Sequence, residues 1–170
     1  MRHKTKDGSC IMYGFIYKTI LGKVLIVEDG QGIIKLDLMD DCHETNEDIN
    51  IILKETNTIA EAYKQLNEYL DGKRTEFTVA LNPQGTDFQK RVWDALRKIP
   101  YGETRTYKQI AEAVGSPKAY RAVGMANHYN PILCMIPCHR VIGSNGKLVG
   151  FANGLSVKEK LLTLESKTYQ

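Results

Sequence analysis

The spacing of apolar residues changes period partway along the chain. Residues 10–17 (Cys-Ile-Met-Tyr-Gly-Phe-Ile-Tyr) are dense in β-formers, and two further short apolar runs follow at 23–28 and 32–38. Asp29-Gly30 between those runs is a hairpin signal, because glycine supplies the positive φ that a tight turn requires. From Thr58 the period becomes helical. Ile59, Ala62, Tyr63, Leu66 and Leu70 share one face, Thr58 and Glu61 have capping-box spacing, and Asp71-Gly72 ends the segment. A last strand is expected over 76–81. Strands followed by a helix describe a small α+β domain with a mostly antiparallel sheet and no chemistry of its own.

Asn82-Pro83-Gln84-Gly85 breaks any regular pattern and predicts a boundary between a domain at 1–82 and another at 86–170. Beyond it the chain reads as helical. Thr86-Asp87-Phe88-Gln89 is a capping box, with Phe88, Val92, Trp93, Leu96 and Ile99 on one face and Pro100-Tyr101-Gly102 as the stop. Thr106-Tyr107-Lys108-Gln109 opens a second helix that ends at Gly115. Ser116-Pro117 reads as an N-cap with proline at the first helical position, which predicts a third helix over 117–128. Ser156-Val157-Lys158-Glu159 predicts a final helix running to Ser166. Two short helices joined at a glycine fit a helix-turn-helix, and equally an ordinary helical hairpin packed in a core. In the first reading the second helix meets DNA through Lys118, Tyr120 and Arg121. Its small residues Ala119, Ala122, Gly124 and Ala126 permit close approach.

Composition narrows the setting. With 42% hydrophobic and 25% charged residues, the 170-residue chain has an ordinary globular balance. No apolar run approaches the ~20 residues that span a bilayer, and the polar start Met1-Arg2-His3-Lys4 is no secretory signal. The expected location is the cytoplasm, or the nucleus in a eukaryote. Net charge is only +3, but residues 1–85 hold 10 Lys+Arg against 14 Asp+Glu while 86–170 hold 13 against 6. A basic half suits a polyanion such as DNA phosphate; chance asymmetry between two domains would look the same. Cys10, Cys42, Cys134 and Cys138 include no CxxC pair, which argues against a zinc ribbon or thioredoxin-type site. His3 and His43 with Cys10 and Cys42 match no standard zinc spacing. No metal and no cofactor are expected.

The candidate chemistry lies in residues 131–142, an apolar stretch broken by Pro131 and Pro137 and therefore neither a regular helix nor a central strand. It presents Pro137-Cys138-His139-Arg140-Val141. A thiolate is a strong nucleophile that needs a nearby base. His139 can serve, through a water if the two side chains diverge, and Glu165 on the last helix is the best-placed acid to orient the imidazole. On these residues alone, an inert buried cysteine remains the competing reading.

The segment Asn130-Pro131-Ile132-Leu133-Cys134-Met135-Ile136-Pro137-Cys138-His139-Arg140-Val141 resembles the active-site signature of methylated-DNA–protein-cysteine methyltransferases, the alkylguanine-DNA alkyltransferase family. The resemblance spans residues 85–165. It includes Phe88-Gln89-Lys90-Arg91-Val92-Trp93, Ile99-Pro100-Tyr101-Gly102-Glu103-Thr104, Arg121-Ala122-Val123-Gly124-Met125-Ala126-Asn127 and Gly154-Leu155-Ser156-Val157-Lys158-Glu159-Lys160-Leu161-Leu162. It implies an N-terminal ribonuclease-H-like α/β domain and a C-terminal, mainly helical winged-helix-type domain containing the helix-turn-helix. It implies single-turnover DNA repair: an alkyl group moves irreversibly from O6 of guanine, with O4 of thymine as a second lesion, to Cys138. His139, through a water, would take the thiol proton and Glu165 would hold the histidine. Asn130 would brace the cysteine segment, Tyr107 would help extrude the damaged nucleotide, and Arg121 would fill the gap in the stack. Lys118, Tyr120, Ala122 and Asn127 complete the expected DNA surface, and Val149, Gly150, Phe151, Ala152 and Asn153 the pocket wall. Phe151 stands where some members carry Tyr, and Asn153-Gly154 where Gly-Gly is common. The expected partner is double-stranded DNA holding an alkylated guanine, bound by a monomer, with no membrane. Two other classes compete: a DNA-binding regulator without chemistry, disfavoured by the presence of Cys138, and a cysteine hydrolase, whose usual flanking signatures are missing.

Overall fold

The computed structural model describes residues 11–39 and 51–167. The chain divides into two compact units, Met1–Pro83 and Gln84–Gln170. Cys10, where the first strand was expected to start, and the whole His3/Cys10/Cys42/His43 grouping lie outside the described residues.

In the first unit, β1 (Met12–Thr19), β2 (Gly22–Glu28), β3 (Ile33–Leu38) and β4 (Ile51–Leu53) form one sheet in the order β3-β2-β1-β4. β1–β2 and β2–β3 are antiparallel and β1–β4 is parallel. Val24 through Val27 are all buried, so β2 is covered on both faces, which explains its unbroken apolar run. β4 was not expected; three residues are too few to show a period.

Helix α1 (Asn57–Leu70) packs on the sheet through Ile59, Ala62, Leu66 and Tyr69. Its cap is Thr56, which accepts from the Ile59 backbone N–H, and not the expected Thr58. With the cap at Thr56 the capping-box position falls on Ile59, and Glu61 accepts instead from Gln65 Nε2 at 2.9 Å. Gln65 also accounts for a second correction: residues 76–81 form no strand. Buried Gln65 accepts from the Thr78 and Val79 backbone N–H groups at 2.9 and 3.3 Å and donates to Thr78 Oγ1 at 2.9 Å. A side chain thus does what a ladder would otherwise do. One bridge, Ile33 to Leu81, is all that joins the segment to β3. Gly32 permits that approach, since a Cβ there would sit 2.7 Å from the Ala80 carbonyl oxygen.

The second unit is mainly helical: α2 (Asp87–Arg97), α3 (Tyr107–Ala113), α4 (Tyr120–His128) and α5 (Leu155–Lys167). The two-residue strands β5 (Arg105–Thr106) and β6 (Val141–Ile142) pair in parallel. Thr86 and Thr106 make complete capping boxes with Gln89 and Gln109. Trp93, 1% exposed, donates from Nε1 to the Ala126 carbonyl at 2.9 Å and so ties α2 to α4. α3 and α4 form the helix-turn-helix.

The joint between α3 and α4 differs from expectation. Gly115, at φ +74°, and Ser116 close α3 in a Schellman motif, donating to the Glu112 and Ala111 carbonyls. Ser116 is therefore spent on ending one helix and does not cap the next. Ala119 N–H turns back to the Ser116 carbonyl, and α4 starts at Tyr120 with no side-chain cap. Ser156 likewise is no cap: α5 begins at Leu155, and the Gly154 carbonyl accepts from Val157 and Lys158. No helix among the described residues is long and apolar enough to cross a membrane.

Candidate active site

Between α4 and β6 the chain runs irregularly from Asn130 to a single 3-10 turn, Cys138–Arg140. Pro131 and Pro137 lack N–H groups, so side chains hold this segment in place of a backbone ladder. Asn130 is the clamp. Its Nδ2 donates to the Ile136 carbonyl at 2.8 Å and to Cys138 Sγ at 3.0 Å, while Oδ1 accepts from Ile132 N–H at 3.0 Å. Cys134 adopts φ +65°, the left-handed region, alone among the described non-glycine residues, a strain of about 1–3 kcal/mol that the packed segment sustains.

Cys138 is 5% exposed. Burial pushes its thiol up to about 11, against the Asn130 hydrogen bond, the Lys158 charge and the backbone N–H groups of Cys138 and His139, which pull it down. His139 and Glu165 are fully buried, with His139 Nε2 2.7 Å from Glu165 Oε1. Burial lowers the histidine below its ordinary range despite the raising pull of Glu165. Glu165 in turn accepts from Arg140 Nε at 2.9 Å and Nη2 at 2.9 Å, and from Gly102 N–H at 3.1 Å. Arg140 Nη1 reaches the Ile99 carbonyl at 2.6 Å. A carboxylate held by a guanidinium can only accept, so Nε2 carries the histidine hydrogen and Nδ1 is the basic nitrogen of the neutral ring.

Lys158 forms a second buried node. Its Nζ donates to the Val141 carbonyl at 2.6 Å and the Val149 carbonyl at 3.1 Å, and lies 5.9 Å from the ring centres of both Tyr107 and Phe151. The Tyr107 hydroxyl donates to the same Val149 carbonyl at 3.0 Å. Burial raises the Tyr107 pKa, an ionised Cys138 would raise it further, and a side-chain hydrogen bond with Asn127 opposes the rise.

An open groove of about 890 Å³ runs over α3 and α4, lined by Tyr107, Lys118, Tyr120, Arg121, Val149 and Gly150 among others. Those expected residues come together there. Phe151, Ala152 and Asn153 do not line it, nor does Ala122, which is exposed elsewhere on α4. Asn127, expected on the DNA surface, is instead buried. Sequence reasoning missed Arg140 and Lys158. A charged residue inside the apolar 131–142 run was a usable signal for Arg140; Lys158 looked like any lysine on a solvated helix. Among the described residues no group of three or more metal-binding side chains exists.

Known proteins match both units of the chain. Residues 11–83 match the family model described as the 6-O-methylguanine DNA methyltransferase ribonuclease-like domain, and residues 87–167 match the DNA binding domain of the same name. The methylated-DNA–protein-cysteine methyltransferase of Methanosarcina barkeri is 49% identical over 91% of this chain and 97% of its own length. The constitutive enzyme of that name from Bacillus subtilis is 46% identical over 90% and 94%. The Mycobacterium tuberculosis OGT crystallised in complex with DNA superposes with a TM-score of 0.82 at 41% identity, covering 92% of this chain and 94% of that one.

Proposed function

Since the chain belongs to the 6-O-methylguanine DNA methyltransferase family, it repairs DNA by direct transfer of an alkyl group to one of its own cysteines, and we propose that Cys138 is the acceptor. The observation that carries this reading is the buried set around that sulfur. Asn130 donates to it at 3.0 Å, and the next residue is a histidine fixed by a carboxylate at 2.7 Å.

The resting group is a thiol: with its pKa at about 11, only about one molecule in 10⁴ is ionised at pH 7. Proton removal therefore belongs to the reaction. A water between Cys138 Sγ and His139 Nδ1 carries the proton to the ring, and Glu165 stabilises the resulting imidazolium. The sulfur lone pair attacks the alkyl carbon as the bond from carbon to guanine O6 breaks. The electrons of that bond pass to the base, which takes up a proton and leaves as guanine. The thioether has no route to hydrolysis, so each molecule acts once.

The substrate alkyl group is out of reach inside a stacked duplex, so the nucleotide must turn out of the helix at a cost of a few kcal/mol. Arg121, exposed on α4, fills the vacated space. Tyr107, whose hydroxyl already points a donor at Val149 O, transfers that donor to the base. Lys118, Tyr120 and the uncapped N–H groups at the start of α4 face the phosphates. Residues 86–170 thus hold both the DNA surface and the acceptor, and residues 1–82 support them. The protein acts as a monomer without a cofactor, on alkylated guanine in duplex DNA, in whichever compartment holds that DNA.

Incubation with a duplex bearing one O6-methylguanine, followed by peptide mass mapping, tests this directly. The expected result is one methyl group on Cys138, in the presence of EDTA, and none in Cys138→Ser. A methyl group on Cys134 overturns the assignment.

A further inference from the structure

Met125 is 53% exposed in the middle of α4, a long apolar side chain turned to solvent on a helix with Lys118 just before it and Arg121 in its first turn. It is not an isolated surface residue. Arg121, Gly124, Met125 and His128 all line the open groove over α3 and α4, and their spacing of three and four places them on one face of the helix. Gly124 carries no side chain where that face meets Tyr107: a Cβ there would lie 3.9 Å from the Tyr107 ring. Arg121 and Met125 are therefore successive side chains, one turn or about 6 Å apart, on the face that Tyr107 borders. A cation on this face is explained by phosphate. A thioether is not, since it releases no counterion and leaves apolar area in water until something covers it.

We infer that Met125 is a second wedge beside Arg121: it packs its thioether on the base pair that flanks the lesion and so holds open the step from which the damaged nucleotide leaves. Extruding one nucleotide widens a base step of about 3.4 Å to roughly 7 Å and bares the apolar faces of both neighbouring base pairs. Two side chains about 6 Å apart match that opening. Arginine fills it with a flat cation. Methionine, unbranched and polarisable, covers the base face that remains. It is among the side chains that part base steps in architectural DNA-binding proteins. The contact is apolar and blind to sequence, so it acts on extrusion and not on phosphate affinity. The inference rests on the reading of α3 and α4 as the helices that open the duplex.

The test measures methyl transfer to the full chain from O6-methylguanine placed in a duplex and in a single-stranded oligonucleotide, and benzyl transfer from free O6-benzylguanine. Met125→Ala is expected to slow the duplex reaction about tenfold or more and to leave the other two within about twofold, because only the duplex demands unstacking. Met125→Leu, apolar and of similar volume, should keep the duplex rate within about twofold of native. Met125→Gln, as long but polar, should behave as alanine does. In Met125→Ala the slope of log affinity against log salt should stay unchanged, since no phosphate contact is lost. That variant should also melt with the native protein, because the side chain is exposed. A Met125→Ala protein that repairs duplex at the native rate, or loses as much on the single strand, overturns the inference. So does a glutamine that serves as well as methionine, and so does a lowered melting point, which would assign the side chain to the fold. Arg121→Ala run alongside separates the two readings. If it too shows no loss specific to duplex, the extrusion reading fails and the inference falls with it; if it alone shows that loss, only the wedge is wrong.

Discussion

Glu165→Gln removes a buried charge at the centre of the site. Glu165 is 1% exposed and Arg140 6%, and the carboxylate takes two guanidinium hydrogen bonds at 2.9 Å, one from His139 Nε2 at 2.7 Å and one from Gly102 N–H at 3.1 Å. The amide keeps the shape but removes the charge, leaving the guanidinium in the interior with no anion. It also turns an NH2 group toward donors. Breaking a buried pair in this way costs about 3–5 kcal/mol. For a unit the size of Gln84–Gln170 each kcal/mol moves the melting point by about 4–8 °C, so the midpoint should fall by at least about 12 °C. Trp93 is the single tryptophan and lies in this unit, so its fluorescence reports the relevant transition. Combining Glu165→Gln with Arg140→Met removes the stranded charge as well and should restore at least about 2 kcal/mol, although Ile99 O loses its donor. Alkyl transfer stays slow in both, by about 10²-fold, since His139 has lost the carboxylate that orients it. A Glu165→Gln protein within about 1 kcal/mol of native, or a double variant as unstable as the two singles added together, would refute the view that charge pairing holds this site.

Acid should weaken both stability and activity. The folded protein holds His139 neutral below its ordinary 6.5, so the unfolded chain binds the extra proton, and stability is full above pH 6.5 and lost as pH falls toward the depressed value; urea melts at stepped pH read this. Alkaline pH works through Cys138: the unfolded thiol ionises near 9.0 and the folded one at about 11, so stability declines across that window. Methylated protein should lose that share of the decline, and an unchanged alkaline slope after methylation counts against the buried thiol. Benzylation of Cys138 should lower the melting point by more than methylation does, because overpacking a buried site costs about 1–3 kcal/mol; an equal or higher midpoint would show room to spare. Arg121→Ala and Tyr107→Phe should slow repair of duplex DNA more than reaction with free benzylguanine, and equal losses on both substrates would remove their part in extrusion.

Periodicity and local chemistry made much of the fold legible in advance. The capping boxes at Thr86 and Thr106 reach only three residues along the chain, and both formed. The apolar face of α1 and the buried run of β2 are likewise visible in the order of residues alone. The Cys138-His139 pair was readable because its members are adjacent, and its family resemblance because several spaced motifs occur in one order. Where two local options competed, distant partners decided. Thr58 and Glu61 had the right spacing, but the cap fell on Thr56, and Glu61 accepts from Gln65, which in turn reaches Thr78. Residues 76–81 had strand composition but found a glutamine in place of a ladder. Ser116 was a good cap that Gly115 converted into a helix stop. The site shows the same division. Arg140 and Lys158 became buried only because α5 packs against the 3-10 turn, bringing Glu165 and the Val141 carbonyl within reach across 25 and 17 residues of chain. Asn127, expected at the DNA surface, is buried because its face of α4 packs inward with Val123 and Ala126. Sequence fixes which groups are present and what local geometry they favour. Burial, and with it the cost of every unpaired charge and amide, depends on contacts between residues far apart in the chain, and those exist only in the folded structure.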